Sequence, residues 1–275
     1  MPELPEVETT KRKLEPLLIG ERILGFWTDW PRGLKISSKK FTNVDIKGRK
    51  ISKIERRGKA IIMELSGGRI LGMHQRMSGK ILVLPRAIQD KHTHFRFKLS
   101  NGRDLVMHDI RKFGLVWYGA PRNVLNDKYL MSLGHDPLVI SLADFKKSFR
   151  RKSGMIKPLL LRQDILAGIG NIIADESLWK AKIHPKTRIE QLRETKIINL
   201  YKSIRFVLNK SIKLGGTTMR DWLHPDKTEG RYFAECFVYQ RAGERCFRCR
   251  TLITRIVVGS RGTFFCPKCQ PMPQI

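Results

Sequence analysis

What this sequence lacks narrows it first. No run among its 275 residues approaches the roughly 20 apolar positions needed to cross a bilayer as a helix. Nor does it open with a basic stretch followed by an apolar one, the pattern of a secretion signal. The expectation is a soluble, intracellular protein. Internal repeats and low-complexity tracts are missing too, which argues against solenoid and disordered classes. Acidic residues are scarce: 25 Asp+Glu face 54 Lys+Arg, a formal charge of +29. Surface pairing cannot cancel that excess, so a polyanion is the expected partner. Nucleic acid is the first candidate, because each neutralised phosphate releases condensed counterions.

Cysteine is sparse as well, and its placement is informative. Four of the five lie in "CFRCRTLITRIVVGSRGTFFCPKC" as Cys246, Cys249, Cys266 and Cys269, spaced C-x2-C-x16-C-x2-C. Two such turns present four thiolates to one tetrahedral metal, so one structural Zn2+ is expected. "TLITRIVVG" and "GTFF" read as two short strands of a ribbon too small to fold without its metal. A four-thiolate site has no open coordination position, so any chemistry belongs elsewhere. Cys236 stands outside the pattern and reads as a buried or inert thiol.

Hydrophobic residues make up 41% of the chain, and its length exceeds that of one ordinary domain. "EVETTKRKLEPLL" carries Val7, Leu14, Leu17 and Leu18 at helical spacing and ends near Gly20. Strands then dominate. "KISKIERRGKAIIMELSGGRILGMHQ" alternates and turns between Ser66 and Gly68. Asn101-Gly102 separates Phe95, Phe97 and Leu99 from Leu105 and Met107, a strong hairpin signal. From about residue 140 the pattern becomes helical, as in "NIIADESLWKAKI" and "TKIINLYKSIRFVLNKSIKLGG". In "LAGIGNIIADE", Gly168 and Gly170 interrupt one helix and Asn171 can cap the next. That turn is either a packing corner or a phosphate site at a helix start.

Read together, "PELPEVET", "RRGKA", "DIRKFG", "AGIGNIIADE", "GGTT" and "SRGTFFCPKCQ" occur in the order found in bacterial formamidopyrimidine-DNA glycosylases, and the resemblance covers essentially the whole chain. It implies an α+β multidomain protein: an N-terminal helix plus β-sandwich, then a C-terminal helix-two-turn-helix domain with a zinc-ribbon finger. The expected domains are 1–131, 132–235 and 236–275, with DNA across a basic cleft. It also implies a monomer of the bacterial cytoplasm, associated with the nucleoid, with no organic cofactor and no membrane partner. The implied partner is double-stranded DNA containing oxidised bases or abasic sites. The implied activity is excision of oxidised purines, 8-oxoguanine and formamidopyrimidines, followed by backbone cleavage.

The residues themselves suit that chemistry. Removal of Met1 would leave Pro2 with a secondary amine. An α-amino group with a pKa of ~8 is about 10% free base at pH 7, against well below 0.1% for an ordinary lysine at ~10.4. Glu3, Glu6 and Glu8 should work against this by favouring the ammonium. A secondary amine that attacks the sugar leads to an iminium, an electron sink that permits elimination. By resemblance Glu3 is the acid-base residue, Lys59 assists β-elimination and Arg261 grips phosphates and is linked to δ-elimination.

Excision from a duplex also requires the base to be extruded and its place filled. Met77, Arg111 and Phe113 match the family's void-filling residues. His74, His92, Lys152, Lys157 and Asn171 match positions that bind DNA. The chain departs from the family pattern where His74-Gln75-Arg76 precedes Met77, at His135-Asp136, and at Arg162 in "LLRQ". Two other readings share many of these features. One is the related endonuclease VIII branch, which removes oxidised pyrimidines and usually opens "PEGPE" where Leu4 stands here. The other is a non-catalytic zinc-finger DNA-binding protein, which would have no use for a terminal amine.

Overall fold

Pro2 and Glu3 lead straight into helix α1 (Leu4–Leu18), whose first turn holds Pro5 and Glu6. Proline there forgoes an N–H that has no helical partner anyway. The Glu6 carboxylate folds back to accept the Glu3 N–H at 2.7 Å. Val7, Leu14 and Leu18 form the buried face, and the chain leaves the helix through Gly20, whose φ of +95° suits a residue without Cβ.

A computed structural model describes residues 2–36, 43–86, 90–219 and 222–272; Met1 lies outside them. After α1 come β1 (Ile23–Thr28), β2 (Leu34–Ile36), a short helix α2 (Asn43–Ile46), β3 (Ile51–Arg57), β4 (Ala60–Leu65) and β5 (Arg69–His74). They are followed by β6 (Lys80–Pro85), β7 (Thr93–Leu99), β8 (Arg103–His108), β9 (Leu115–Gly119) and the short helices α3 (Pro121–Leu125) and α4 (Lys128–Met131). The strands make a four-stranded sheet, β1-β7-β8-β6, and a five-stranded sheet, β2-β9-β5-β4-β3. Alternation sends Ile61, Met63, Leu71 and Met73 of one sheet and Phe95, Phe97, Leu105 and Met107 of the other into one shared core with α1. The Asn101-Gly102 hairpin forms as its sequence indicates, with Phe97 opposite Leu105 and Phe95 opposite Met107.

The second part contains α5 (Leu142–Phe149), α6 (Ile156–Leu161), α7 (Asn171–Ala181) and α8 (Glu194–Lys213), then the ribbon strands β10 (Thr254–Val258) and β11 (Arg261–Phe265). Two compact units result: Met1–Ser132 with Leu214–Phe233, and Leu133–Lys213 with Ala234–Ile275. The segment after α8, grouped by sequence with the helical domain, therefore returns to the first unit. Its attachments explain why. The Thr217 N–H donates to Glu6 at 2.7 Å, Lys13 pairs with Asp226 at 2.7 Å, and the Val83 N–H donates to the Pro225 carbonyl. No helix among the described residues is long and apolar enough to cross a membrane.

Candidate functional site

In the first unit the amino terminus is held from several sides. Pro2 is buried, as are Glu3 and Glu6 at 3% exposure each. Glu6 spans the site: one oxygen takes the Glu3 N–H and the other the Thr217 N–H. Gly216 lies so close that a Cβ there would stand 2.9 Å from Glu6 Oε1. Burial, and then the neighbouring Glu3 charge, push the Glu6 pKa up to about 7 against the pull of those N–H groups. Glu8 behaves oppositely. Burial raises its pKa, but hydrogen bonds from Arg56 and Arg12, both at 2.9 Å, bring it below the ordinary value. Of the three acids near Pro2, one is therefore held partly protonated near neutral pH and one is paired with arginines. The expected bias toward the ammonium is correspondingly weaker.

Lys59 sits in the tight β3–β4 turn after Gly58 and is 6% exposed. His74, expected at the DNA surface, is instead enclosed at 4% exposure. The Arg76 N–H donates to its Nδ1 at 2.9 Å, which leaves Nε2 to carry the proton facing the Tyr129 hydroxyl at 2.9 Å. Burial, with the charges of Arg76 and Lys59, lowers its pKa to about 3. A neutral, enclosed imidazole holds the turn leading to Met77. Arg76, one of the departures from the family, takes a left-handed φ of +53° and sets its guanidinium carbon 5.4 Å from the Tyr129 ring centre.

Met77 and Phe113 are 48% and 45% exposed, unusual for apolar side chains at the ends of core strands. The exposed Arg111 lies over Phe113, with 4.5 Å from Cζ to the ring centre. Half-buried His92 stacks edge-on against His108 at 5.6 Å. All four side chains retain exposed surface.

In the second unit, residues 162–170 form the turn between α6 and α7. Gln163 fastens it, donating to the Leu161 and Ile169 carbonyls and accepting the Gly168 N–H, each at 2.9 Å. Gly170, not Asn171, is the N-cap; Asn171 opens α7 and donates to the Gly262 carbonyl at 3.0 Å. Lys157, a second expected DNA contact, is also enclosed. It is fully buried, paired with Asp175 at 2.7 Å, and donates to Thr263 Oγ1 at 2.7 Å and the Gly262 carbonyl at 3.1 Å. Asp175 in turn accepts the Phe264 N–H at 3.0 Å. Burial pushes Asp175 up to about 7 against the pull of Lys157. Lys157, Asn171 and Asp175 thus grip the start of β11 and leave Arg261 exposed at the hairpin tip. Lys152 remains partly exposed in the loop after α5.

The four cysteines converge, their sulfurs all within 4.8 Å of one another. The pairs Cys249–Cys266 and Cys246–Cys269 stand 3.4 Å and 3.9 Å apart, too far for a disulfide of about 2.05 Å. They suit a tetrahedron whose edges are about 3.8 Å for zinc–sulfur bonds of about 2.3 Å. The Trp179 indole N–H points at Cys246 Sγ from 3.4 Å, the kind of donor that steadies a thiolate ligand. Glu176 accepts three successive N–H groups, from Phe237, Val238 and Tyr239, where the chain enters this module.

Sequence reasoning passed over Glu176, Asp175, Gln163 and Asp109, although all four lie inside quoted motifs. A buried acid that gathers backbone N–H groups has no periodicity to betray it.

Comparison with known proteins agrees with this geometry. Residues 1–116 match the formamidopyrimidine-DNA glycosylase N-terminal domain, residues 133–222 the H2TH domain of the same enzymes, and residues 243–271 a zinc finger found in FPG and IleRS. The formamidopyrimidine-DNA glycosylase of Chloroflexus aurantiacus is 42% identical over 98% of each chain, and that of Enterococcus faecalis 38% over 99% of this chain and 98% of its own. The Lactococcus lactis enzyme in complex with abasic-site DNA superposes with a TM-score of 0.89 at 37% identity, covering 98% of this chain and 100% of that one. The Thermus thermophilus protein gives 0.88 at 34%, covering 99% and 100%. The chain belongs to the formamidopyrimidine-DNA glycosylase family.

Proposed function

We propose that this protein is a bifunctional DNA glycosylase and abasic-site lyase of base excision repair, acting on oxidised purines in duplex DNA through its amino-terminal proline. The observation that carries this reading is the enclosure of Pro2-Glu3 at the start of α1, anchored through Glu6 to Glu3 and Thr217. A terminus meant only as an end would not be buried among acids. The positive end of the helix dipole disfavours an ammonium there. Partial protonation of Glu6 and the pairing of Glu8 with Arg56 and Arg12 remove part of the opposing field.

In the proposed reaction the Pro2 nitrogen, once Met1 is removed, bonds to C1′ of the damaged nucleotide, the base leaves with the glycosidic electron pair, and the proton lost from the Pro2 nitrogen balances the charge of the departing base. Glu3 gives a proton to the sugar ring oxygen as the ring opens, which produces the iminium. Loss of the adjacent C2′ proton then expels the 3′ phosphate, with Lys59 assisting, and a second elimination expels the 5′ phosphate, with Arg261 holding that group. A one-nucleotide gap with phosphate ends remains. Zinc, when bound by the four thiolates, cross-links the ribbon and takes no part in these steps. The site of action is the bacterial cytoplasm, at the nucleoid, with the protein acting as a monomer.

Borohydride trapping on a duplex containing 8-oxoguanine tests this. A covalent protein–DNA adduct that disappears when Pro2 is acetylated is expected. No adduct with either the lesion or an abasic site would overturn the enzymatic reading. Faster excision of thymine glycol than of 8-oxoguanine would place the protein in the pyrimidine branch.

A further inference from the structure

One buried carboxylate lies where the exposed wedge residues meet, and the reaction scheme above gives it no task. Asp109 is 1% exposed. Its Oδ1 accepts the Ser78 hydroxyl at 2.6 Å and the Arg111 N–H at 3.1 Å. Its Oδ2 accepts the Phe113 N–H at 2.8 Å and the Gly114 N–H at 2.7 Å. Its own N–H donates to the His92 carbonyl at 2.8 Å. One residue thereby ties three separate segments of the first unit: the turn bearing Met77, the loop bearing Arg111 and Phe113, and the turn bearing His92.

We propose that Asp109 is a positioning residue that fastens Met77, Arg111, Phe113 and His92 into one preassembled wedge, so that duplex entry and filling of the vacated space occur together. The proposal rests on the reading of Met77, Arg111 and Phe113 as void-filling.

The local backbone fits this role. Arg76 and Lys112, one in each wedge segment, take left-handed φ values of +53° and +51°, conformations that non-glycine residues keep only where surrounding bonds fix them. A Cβ at Gly114 would stand 2.3 Å from Met107 Sδ and 3.3 Å from Asp109 Oδ2. Only glycine brings that N–H up to the carboxylate. The Met77 turn is closed by the Gly79 N–H donating to the Gln75 carbonyl at 2.9 Å, and Ser78 links it to Asp109. A carboxylate is required because all four groups donate. An amide in its place would turn an N–H2 toward two of them.

The test measures insertion and chemistry separately. A duplex carrying 2-aminopurine next to 8-oxoguanine brightens when the wedge unstacks the step, and stopped-flow mixing gives the rate. Borohydride trapping on a preformed abasic site in a single strand, which offers no stack to open, reports Pro2 chemistry. Asp109→Asn should slow insertion and 8-oxoguanine excision about tenfold or more, the scale on which small misplacement of catalytic groups acts, with trapping at the wild-type rate. Ser78→Ala, which removes one bond at a partly exposed site, should slow insertion about threefold with little change in melting temperature. Asp109→Asn should add little to Met77→Ala, because both act on one step. Wild-type insertion in both the Asp109 and Ser78 variants, or a matching loss of trapping, would overturn the positioning role. Absence of any 2-aminopurine signal in the wild-type protein would instead overturn the void-filling reading itself.

Discussion

At the scale of single residues, Glu6 and His74 show how burial reverses what a side chain suggests on paper. Both look like surface groups in the sequence, and both are enclosed. Glu6 has a folded pKa of about 7, above its unfolded value, so it holds a proton on folding that the unfolded chain gives up near pH 4.5. Its contribution is present below that pH and is lost as pH rises toward 7, by roughly 3 kcal/mol in total. Urea denaturation between pH 4.5 and 8 should show this decline in the wild type relative to Glu6→Gln, which cannot titrate. His74 has the opposite sign. Its folded pKa, about 3, lies below the unfolded value, so its contribution is present above pH 6.5 and is lost as pH falls. Nuclear magnetic resonance should find the ring neutral, protonated on Nε2, and untitrated down to pH 4.5. The sequence disclosed the chemical identity of Pro2, Glu3 and Lys59 through their motifs. It could not disclose that His74 faces inward, because strand alternation places it opposite Met73 without saying which face Trp117 and Tyr129 cover.

At the scale of elements, the β11 hairpin depends on helices α6 and α7 far from it in sequence. Lys157 and Lys152 are only five residues apart and read alike as basic DNA contacts. The structure separates them: Lys152 is partly exposed, and Lys157 is buried against Asp175. Lys157→Met should therefore destabilise the second unit by about 3 kcal/mol, the cost of leaving one partner of a buried pair. The loss should be larger above pH 7 than at pH 5.5, where Asp175 can take a proton. The salt dependence of DNA binding should keep its slope in this variant. Lys152→Met should have the reverse signature, with intact stability and a log–log salt slope shallower by about 0.9. Strand pairing was easier to foresee. The Asn101-Gly102 turn and the glycines at 67 and 68 fix register locally.

For the whole molecule, the net charge and the metal module make separate predictions. With +29 formal charges and about six neutralised phosphates, affinity for DNA should fall roughly a thousandfold between 50 and 200 mM salt; fluorescence anisotropy across that range measures it. Chelation should remove about one zinc per chain and shift the fluorescence of Trp179, which packs with Cys246, Cys266, Val238 and Ile253. DNA binding should be lost. A cooperative unfolding transition of the first unit should survive, because its core draws on α1 and the two sheets and on no residue of the zinc module.

The sequence by itself determined the zinc ligands, the hairpins and the family. Each of these is written in local spacing, where backbone geometry leaves few choices. Only the tertiary structure decided which charged groups are enclosed, because burial depends on what distant segments cover. It brought residues 214–233 back against α1, enclosed His74 and Lys157 in internal hydrogen bonds, and drew three loops onto Asp109.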